Sequence, residues 1–252
     1  MQELGRTLTP SPLFATGVIG ASFLTKIGTD SQKQKYLPEI ANGNLTTCFA
    51  FEEGPRHKPI ISEVTAEKKG KNYIINGKKS FVVDGGFADL IIIAAKTSKG
   101  PSLFLADKNS KGIDINIAKM VDSRNSANIT FSNLEVSPEN ILGEIDQAQD
   151  TIEEVLDISR AALAAEMLGG ALEAFEITIN YLKEREQFGV KIGSFQALQH
   201  RAANMFTELE LCKSCVLESL SCFDEKSNDI PRIVSLAKAK ICLLYTSDAA
   251  DD

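Results

Sequence analysis

"YLKEREQFGVKIGSFQALQHRAAN", residues 181–204, is helical text with an interruption in the middle. Tyr181 to Gln187 is charged and rich in helix formers, and from Ser194 the helical pattern resumes. Between them lies Phe188-Gly189-Val190-Lys191-Ile192-Gly193. Its two glycines can end a helix and let backbone come close. The spacing predicts two antiparallel helices joined by a bend, with Arg185, Gln187 and Gln196 at its rim.

Upstream of the bend, "QDTIEEVLDISRAALAAEMLGGALEAFEITINYLKEREQFG" is one periodic run longer than most globular helices. Its apolar positions, from Val155 and Ile158 to Ile179 and Leu182, wander round the helix, as when a helix packs on several neighbours. Gly169-Gly170 inside it costs about 1 kcal/mol per glycine relative to alanine. That cost predicts a close neighbour there, either another helix or a ligand. Downstream, "SFQALQHRAANMFTELELCKSCVLESLSCF" is the antiparallel return.

From Cys48 to about Leu142 the period changes from 3.6 to 2. "NYIINGKKSFVVDG" alternates about Asn76-Gly77, a dipeptide that signals a hairpin. "DLIIIAAKT", "PSLFLADK", "IDINIAKMV" and "ANITFSNLEV" follow at short intervals, separated by turn residues. Before Cys48 the text is helical: Gly28 ends one helix, Thr29-Asp30-Ser31 offers caps for the next, and Pro38 is expected to break or kink it. The fold class is therefore multi-domain α+β. Residues 1–47 are the remnant of an N-terminal helical domain, and 48–145 form a middle antiparallel β-barrel or sandwich. Residues 146–242 form a C-terminal antiparallel helical bundle, expected to be incomplete. The closing "CLLYTSDAADD" loses the helical period, so 243–252 are read as a non-native tail and the chain as a fragment.

Composition narrows the function classes. With 43% apolar and 24% charged residues in 252, a proper core is expected rather than disorder. A net charge of -7 without any basic stripe argues against nucleic acid as a partner. No apolar run approaches a membrane span. Cys212 and Cys215 form a CxxC, but in helical text without a second ligand pair; the five cysteines read as reduced packing residues of a cytoplasmic protein, with no metal.

The pattern RxxFGxxIxxFQxxQHxxA, preceded by LDxxRxxxAAExxG, resembles the C-terminal half of the acyl-CoA dehydrogenase family. "YIINGKKSFVVDGGFADLIII", "NLEVSPENILGE" and "IGTDSQKQKYLPEIANGNLTTCFAFEE" resemble its other tracts in the family's order, over nearly all of residues 1–240. The resemblance implies FAD as cofactor. Arg185 stands where the bend supplies an arginine to the FAD diphosphate, often of a neighbouring subunit, with Gln187, Phe188 and Gln196 along the same arm. Ala50 and Phe51 match the strand whose backbone hydrogen-bonds the flavin ring, and Phe81, Val82 and Val83 match the aromatic-Ile-Thr element beside it. Asp157, Ser159 and Arg160 fall in the tetrad at the acyl-CoA cleft. Arg160 is either its polar anchor or the salt-bridge partner of Asp157 one turn away.

Three departures accompany the resemblance. "FEEGPRHKP" replaces the Gly-Ser-Asp that many relatives carry, leaving Arg56-His57 as the notable polar pair, with His57 readable as a surface loop histidine. Val83 replaces a threonine and cannot donate to flavin N5. The glutamate base is expected beyond the last residue, so no catalytic residue is assigned and the 252-residue chain itself is expected to be inactive. These departures resemble the branch of pimeloyl-CoA and steroid-side-chain dehydrogenase small subunits. The resemblance implies oxidation of an acyl-CoA to the 2,3-enoyl-CoA, electrons passing to an electron-transferring flavoprotein, in a homo- or hetero-oligomer (dimer or tetramer). The alternative is a non-catalytic partner subunit.

Overall fold

A computed structural model describes residues 1–57, 61, 63–122 and 124–246, the last two as backbone only. The helices are α1 (Gln2–Arg6), a π-helical segment (Phe14–Gly20) continuing into α2 (Ala21–Ile27), α3 (Asp30–Ala41), α4 (Gln149–Glu184), α5 (Gln196–Asp224) and α6 (Ile230–Thr246). The strands are β1 (Thr47–Ala50), β2 (Thr65–Lys69), β3 (Asn72–Val83), β4 (Leu90–Lys96), β5 (Pro101–Asp107), β6 (Ile113–Lys119), β7 (Asn125–Val136), β8 (Ile141–Leu142), β9 (Glu186–Gln187) and β10 (Val190–Lys191). They gather into one unit from Pro12 to Leu156 and a second made of Met1–Ser11 with the chain from Asp157 onward. Helices, then a middle sheet domain, then helices is the α+β order that the two periods predict. Of the expected tail, 243–246 continue α6 and 247–252 lie outside the described residues.

In the Pro12–Leu156 unit the sheet runs β6-β7-β3-β2-β4-β5-β8, and β1 pairs β4. Most neighbours are antiparallel; β1–β4 and the single Thr65–Lys96 pair are parallel. "LIIIAA" in β4 is an unbroken apolar run because both faces of that strand are covered. Ile91, Ile93 and Ala95 point into one core with Ile75, Phe104, Ile129 and Phe131. Leu90, Ile92 and Ala94 point into another with Phe23, Leu24, Phe49 and Leu105.

Two local expectations are corrected here. β3 does not turn at Asn76-Gly77 but runs through it; the hairpin turn lies at Gly70-Lys71, where Lys69 pairs with Asn72. Gly77 instead serves a bulge against β7, at φ +131, where a Cβ would come within 2.8 Å of Glu63 O and Val64 Cα. Pro38 does not break α3, which continues to Ala41 from a capping box of Thr29 and Gln32.

In the second unit, Ala164, Leu168, Cys212, Val216, Ala237 and Ile241 form a buried cluster, with Cys215 packed at its edge, so the CxxC is core. The neighbour admitted by Gly169 is a helix, α1. A Cβ on Gly169 would lie 1.9 Å from Gln2 O, and one on Gly5 would lie 1.9 Å from Glu166 O. Arg6 then reaches Glu173 and Glu176 at 2.7 and 2.9 Å. Gly169→Val is expected to displace α1 and lower stability by about 1–3 kcal/mol. Gly170→Ala, whose Cβ would sit 3.6 Å from Gly5 O, is expected to be tolerated or to stabilise by up to about 1 kcal/mol. Urea unfolding of both variants checks this; equal transitions would show that the crossing is not tight.

Candidate functional site

The bend between α4 and α5 folds as a two-residue hairpin. Gln187 pairs with Val190 and Glu186 with Lys191. Both turn residues, Phe188 (φ +54) and Gly189 (φ +79), are left-handed, as a type I′ turn requires. Gly193 is needed because a Cβ there would lie 2.7 Å from Leu182 O at the end of α4. Several polar groups are spent on holding this shape. Lys191 Nζ donates to Glu184 O (3.0 Å) and pairs with Glu186 Oε1 (2.7 Å), Ser194 Oγ donates to Lys191 O (2.7 Å), and Gln199 Nε2 donates to Gly193 O (2.9 Å).

Arg185, Gln187 and Gln196 are not among them. Arg185 joins the bend through its backbone only, donating to Tyr181 O and accepting from Ile192 N. Its guanidinium and the amides of Gln187 and Gln196 are exposed, without a hydrogen-bond partner among the described residues. Phe188 is 91% exposed, in edge contact with Phe195 at 6.3 Å. An open guanidinium fork with two free amides suits a dianionic oxygen-rich group such as a diphosphate. The residues present therefore fit the phosphate arm of FAD.

The β3 wall belongs to the Pro12–Leu156 unit. Val82 is buried, whereas Phe81 and Val83 are 59% and 44% exposed. Phe81 is left-handed (φ +53), with its N–H 3.3 Å from Asn128 Oδ1. Beside it a cleft of about 400 Å³ is bounded by Gly54, Lys78, Ser80, Phe81 and Asn128. An outward aromatic ring and an outward aliphatic side chain suit the apolar ring system of a flavin. Ala50 and Phe51 are buried, and the Phe51 carbonyl accepts from Lys79 Nζ at 2.8 Å. His57 is exposed and paired through Nδ1 with Glu52 Oε1 at 2.6 Å; Lys58 and Pro59, which follow, lie outside the described residues.

Sequence reading missed Lys79 and Glu53. The alternation of β3 puts Tyr73, Ile75 and Lys79 inward, so a buried lysine was there to be found. Its partner Glu53 lies in a loop, where no period marks it. Lys79 Nζ meets Glu53 Oε1 at 2.7 Å, and burial lowers the lysine to about 8 even though Glu53 pulls the other way.

On α4, Asp157 and Ser159 are buried and Arg160 is half-buried. Arg160 Nη1 pairs with Asp157 Oδ1. No group of three or more His, Cys, Asp or Glu that could hold a metal occurs among the described residues. No described helix is long and apolar enough to cross a membrane.

Comparison with known proteins bears on the family and the fold. Residues 54–134 match the family model "Acyl-CoA dehydrogenase, middle domain", and 149–251 match "Acyl-CoA dehydrogenase, C-terminal domain". The mitochondrial isovaleryl-CoA dehydrogenase of Pongo abelii is 32% identical over 248 residues, covering 89% of this chain and 56% of the relative. A subunit of the caffeyl-CoA reductase-Etf complex of Acetobacterium woodii is 34% identical over 234 residues, covering 89% and 60%. The crystal structure of an acyl-CoA dehydrogenase from Geobacillus kaustophilus superposes with a TM-score of 0.87 at 30% identity, covering 95% of this chain and 65% of that one. The chain spans little more than half the length of these curated relatives.

Proposed function

This chain belongs to the acyl-CoA dehydrogenase family, and from that premise we propose that it is the FAD-binding part of an acyl-CoA dehydrogenase that forms the 2,3-enoyl-CoA from a saturated acyl-CoA. The observation that carries this reading is the unspent polar set of the bend, Arg185, Gln187 and Gln196. Arg185 would hold the diphosphate bidentately, the two amides would complete its hydrogen bonds, and Phe188 would cover the same arm. Phe81 and Val83 would form an apolar wall that keeps water from the reacting centre. Val83 has no hydroxyl to donate to flavin N5 where a threonine would, so either backbone amides do that work or reactivity is lowered. Bound FAD would supply the acceptor for the hydride leaving Cβ of the substrate. Asp157, Ser159 and Arg160 would border the acyl-CoA, Arg160 once parted from Asp157.

Electrons would pass to an electron-transferring flavoprotein, a partner favoured by the Etf complex of the Acetobacterium woodii relative. The exposed Arg185 and Phe188 suit a dimer or tetramer in which one copy's bend serves its neighbour's cofactor. Five free thiols suit the cytoplasm.

A second reading, a partner subunit without chemistry of its own, is favoured by Val83 and by Glu52–His57 standing in place of Gly-Ser-Asp. One titration separates the two. In a full-length protein that carries the expected glutamate base, bound FAD is expected to show an absorption band that bleaches when a saturated acyl-CoA is added, whereas the 252-residue chain is expected to show the band without the bleaching. In that full-length protein a band that no acyl-CoA bleaches supports the partner subunit, and absence of any bound flavin refutes the FAD-binding reading.

A further inference from the structure

Lys79 and Glu53 form an ion pair with side chains 0% and 2% exposed. Stability does not account for such a pair, since well-packed apolar residues of similar volume often serve as well or better. Its connections give a reason. The ammonium donates to Phe51 O (2.8 Å) and Glu53 Oε1 (2.7 Å). The Glu53 carboxylate also accepts from Glu63 N (2.7 Å) and Val64 N (3.1 Å). One step along, Ser80 N donates to Glu52 O (2.8 Å) and Gly54 N to Ser80 Oγ (3.3 Å). The segment leaving β1 and the segment entering β2 are thus pinned together on β3, immediately before Phe81.

The next residue needs that support. The β3–β7 register skips from Lys79–Ile129 to Val82–Ala127, and Phe81 between them takes φ +53. A bulky residue in the left-handed region is strained and stays there only when its surroundings over-determine it. We infer that Lys79 and Glu53 are positioning residues that lock the segment leaving β1 against β3, so that Phe81 is held left-handed with its ring outward as the flavin wall. The wall's role rests on the proposed flavin site; the locking does not.

The chain contains no tryptophan, so Phe81→Trp places a single indole fluorophore at the wall. In that background the intact pair is compared with Lys79→Met/Glu53→Leu, whose apolar side chains are expected to keep the thermal transition. Despite that retained stability, the introduced indole is expected to lose fluorescence anisotropy, and FAD affinity is expected to fall about tenfold or more. Unchanged anisotropy and affinity would overturn the inference. If the protein with Phe81 in place binds no FAD, the flavin reading fails, and the indole's anisotropy still decides the locking. Should the double variant not fold, Lys79→Arg keeps the charge but moves it. It must then shift the indole signal, and an unshifted signal overturns the locking.

Discussion

Arg185→Ala is expected to weaken FAD about tenfold to a hundredfold without unfolding the helices on either side. A hydrogen bond to a charged group contributes about 1.5–3 kcal/mol, and each 1.4 kcal/mol is a factor of ten in affinity. The helices should survive because the guanidinium takes no part in the bend. The hairpin is held by Lys191, Ser194, Gln199 and the backbone of Arg185, all of which the substitution leaves in place. Arg185→Lys should recover only part of the loss, since an ammonium is a point charge and cannot present the bidentate fork. Flavin content after gel filtration, with far-ultraviolet circular dichroism on the same fractions, measures both halves of the claim. Equal flavin in wild type and both variants would make Arg185 a solvated surface charge.

The bend was legible as a reversal but not as a hairpin. Charged helical text, two glycines and resumed periodicity announce that the chain folds back. A phenylalanine at φ +54 announces nothing, because aromatic residues seldom accept that conformation. The middle domain shows the same division. Period-2 text located its strands, and the two faces of β4 explain why one of them reads as continuous apolar sequence. Asn76-Gly77 misled because one dipeptide suits both a tight turn and a bulge. What separates them is the partner strand β7, roughly fifty residues later in the chain. Glu53 was illegible for a related reason: its partners Lys79, Glu63 and Val64 meet it only through the sheet's topology. Gly169 was the opposite case, where an unfavourable residue in a long helix correctly signalled a close neighbour.

The buried pair also gives the largest expected change in stability. Glu53→Leu strands the Lys79 ammonium without its counter-charge and is expected to cost about 3–5 kcal/mol, whereas adding Lys79→Met should restore most of that loss. The same pair sets a direction with pH. Burial takes Lys79 down from 10.5 to about 8, against the opposing pull of Glu53, Glu52 and Glu63. Below about 8 the lysine is protonated in both the folded and unfolded chain, and its burial penalty is constant. Between about 8 and 10.5 only the unfolded chain keeps the proton, so this group's contribution to stability rises with pH. Cys48 works in the other sense. Burial, with Asp84 nearby, raises its thiol above the ordinary 9.0, so its contribution falls as pH climbs past that value. Taking the stability of wild type minus that of Lys79→Met/Glu53→Leu removes the Cys48 term, because both proteins carry it. Urea unfolding of the two proteins at intervals from pH 7 to pH 10.5 should give a difference that is flat up to about pH 8 and then increases in favour of wild type. A difference that stays level or declines through that window would mean that Lys79 is not held below its ordinary range, and that burial does not outweigh its pairing with Glu53.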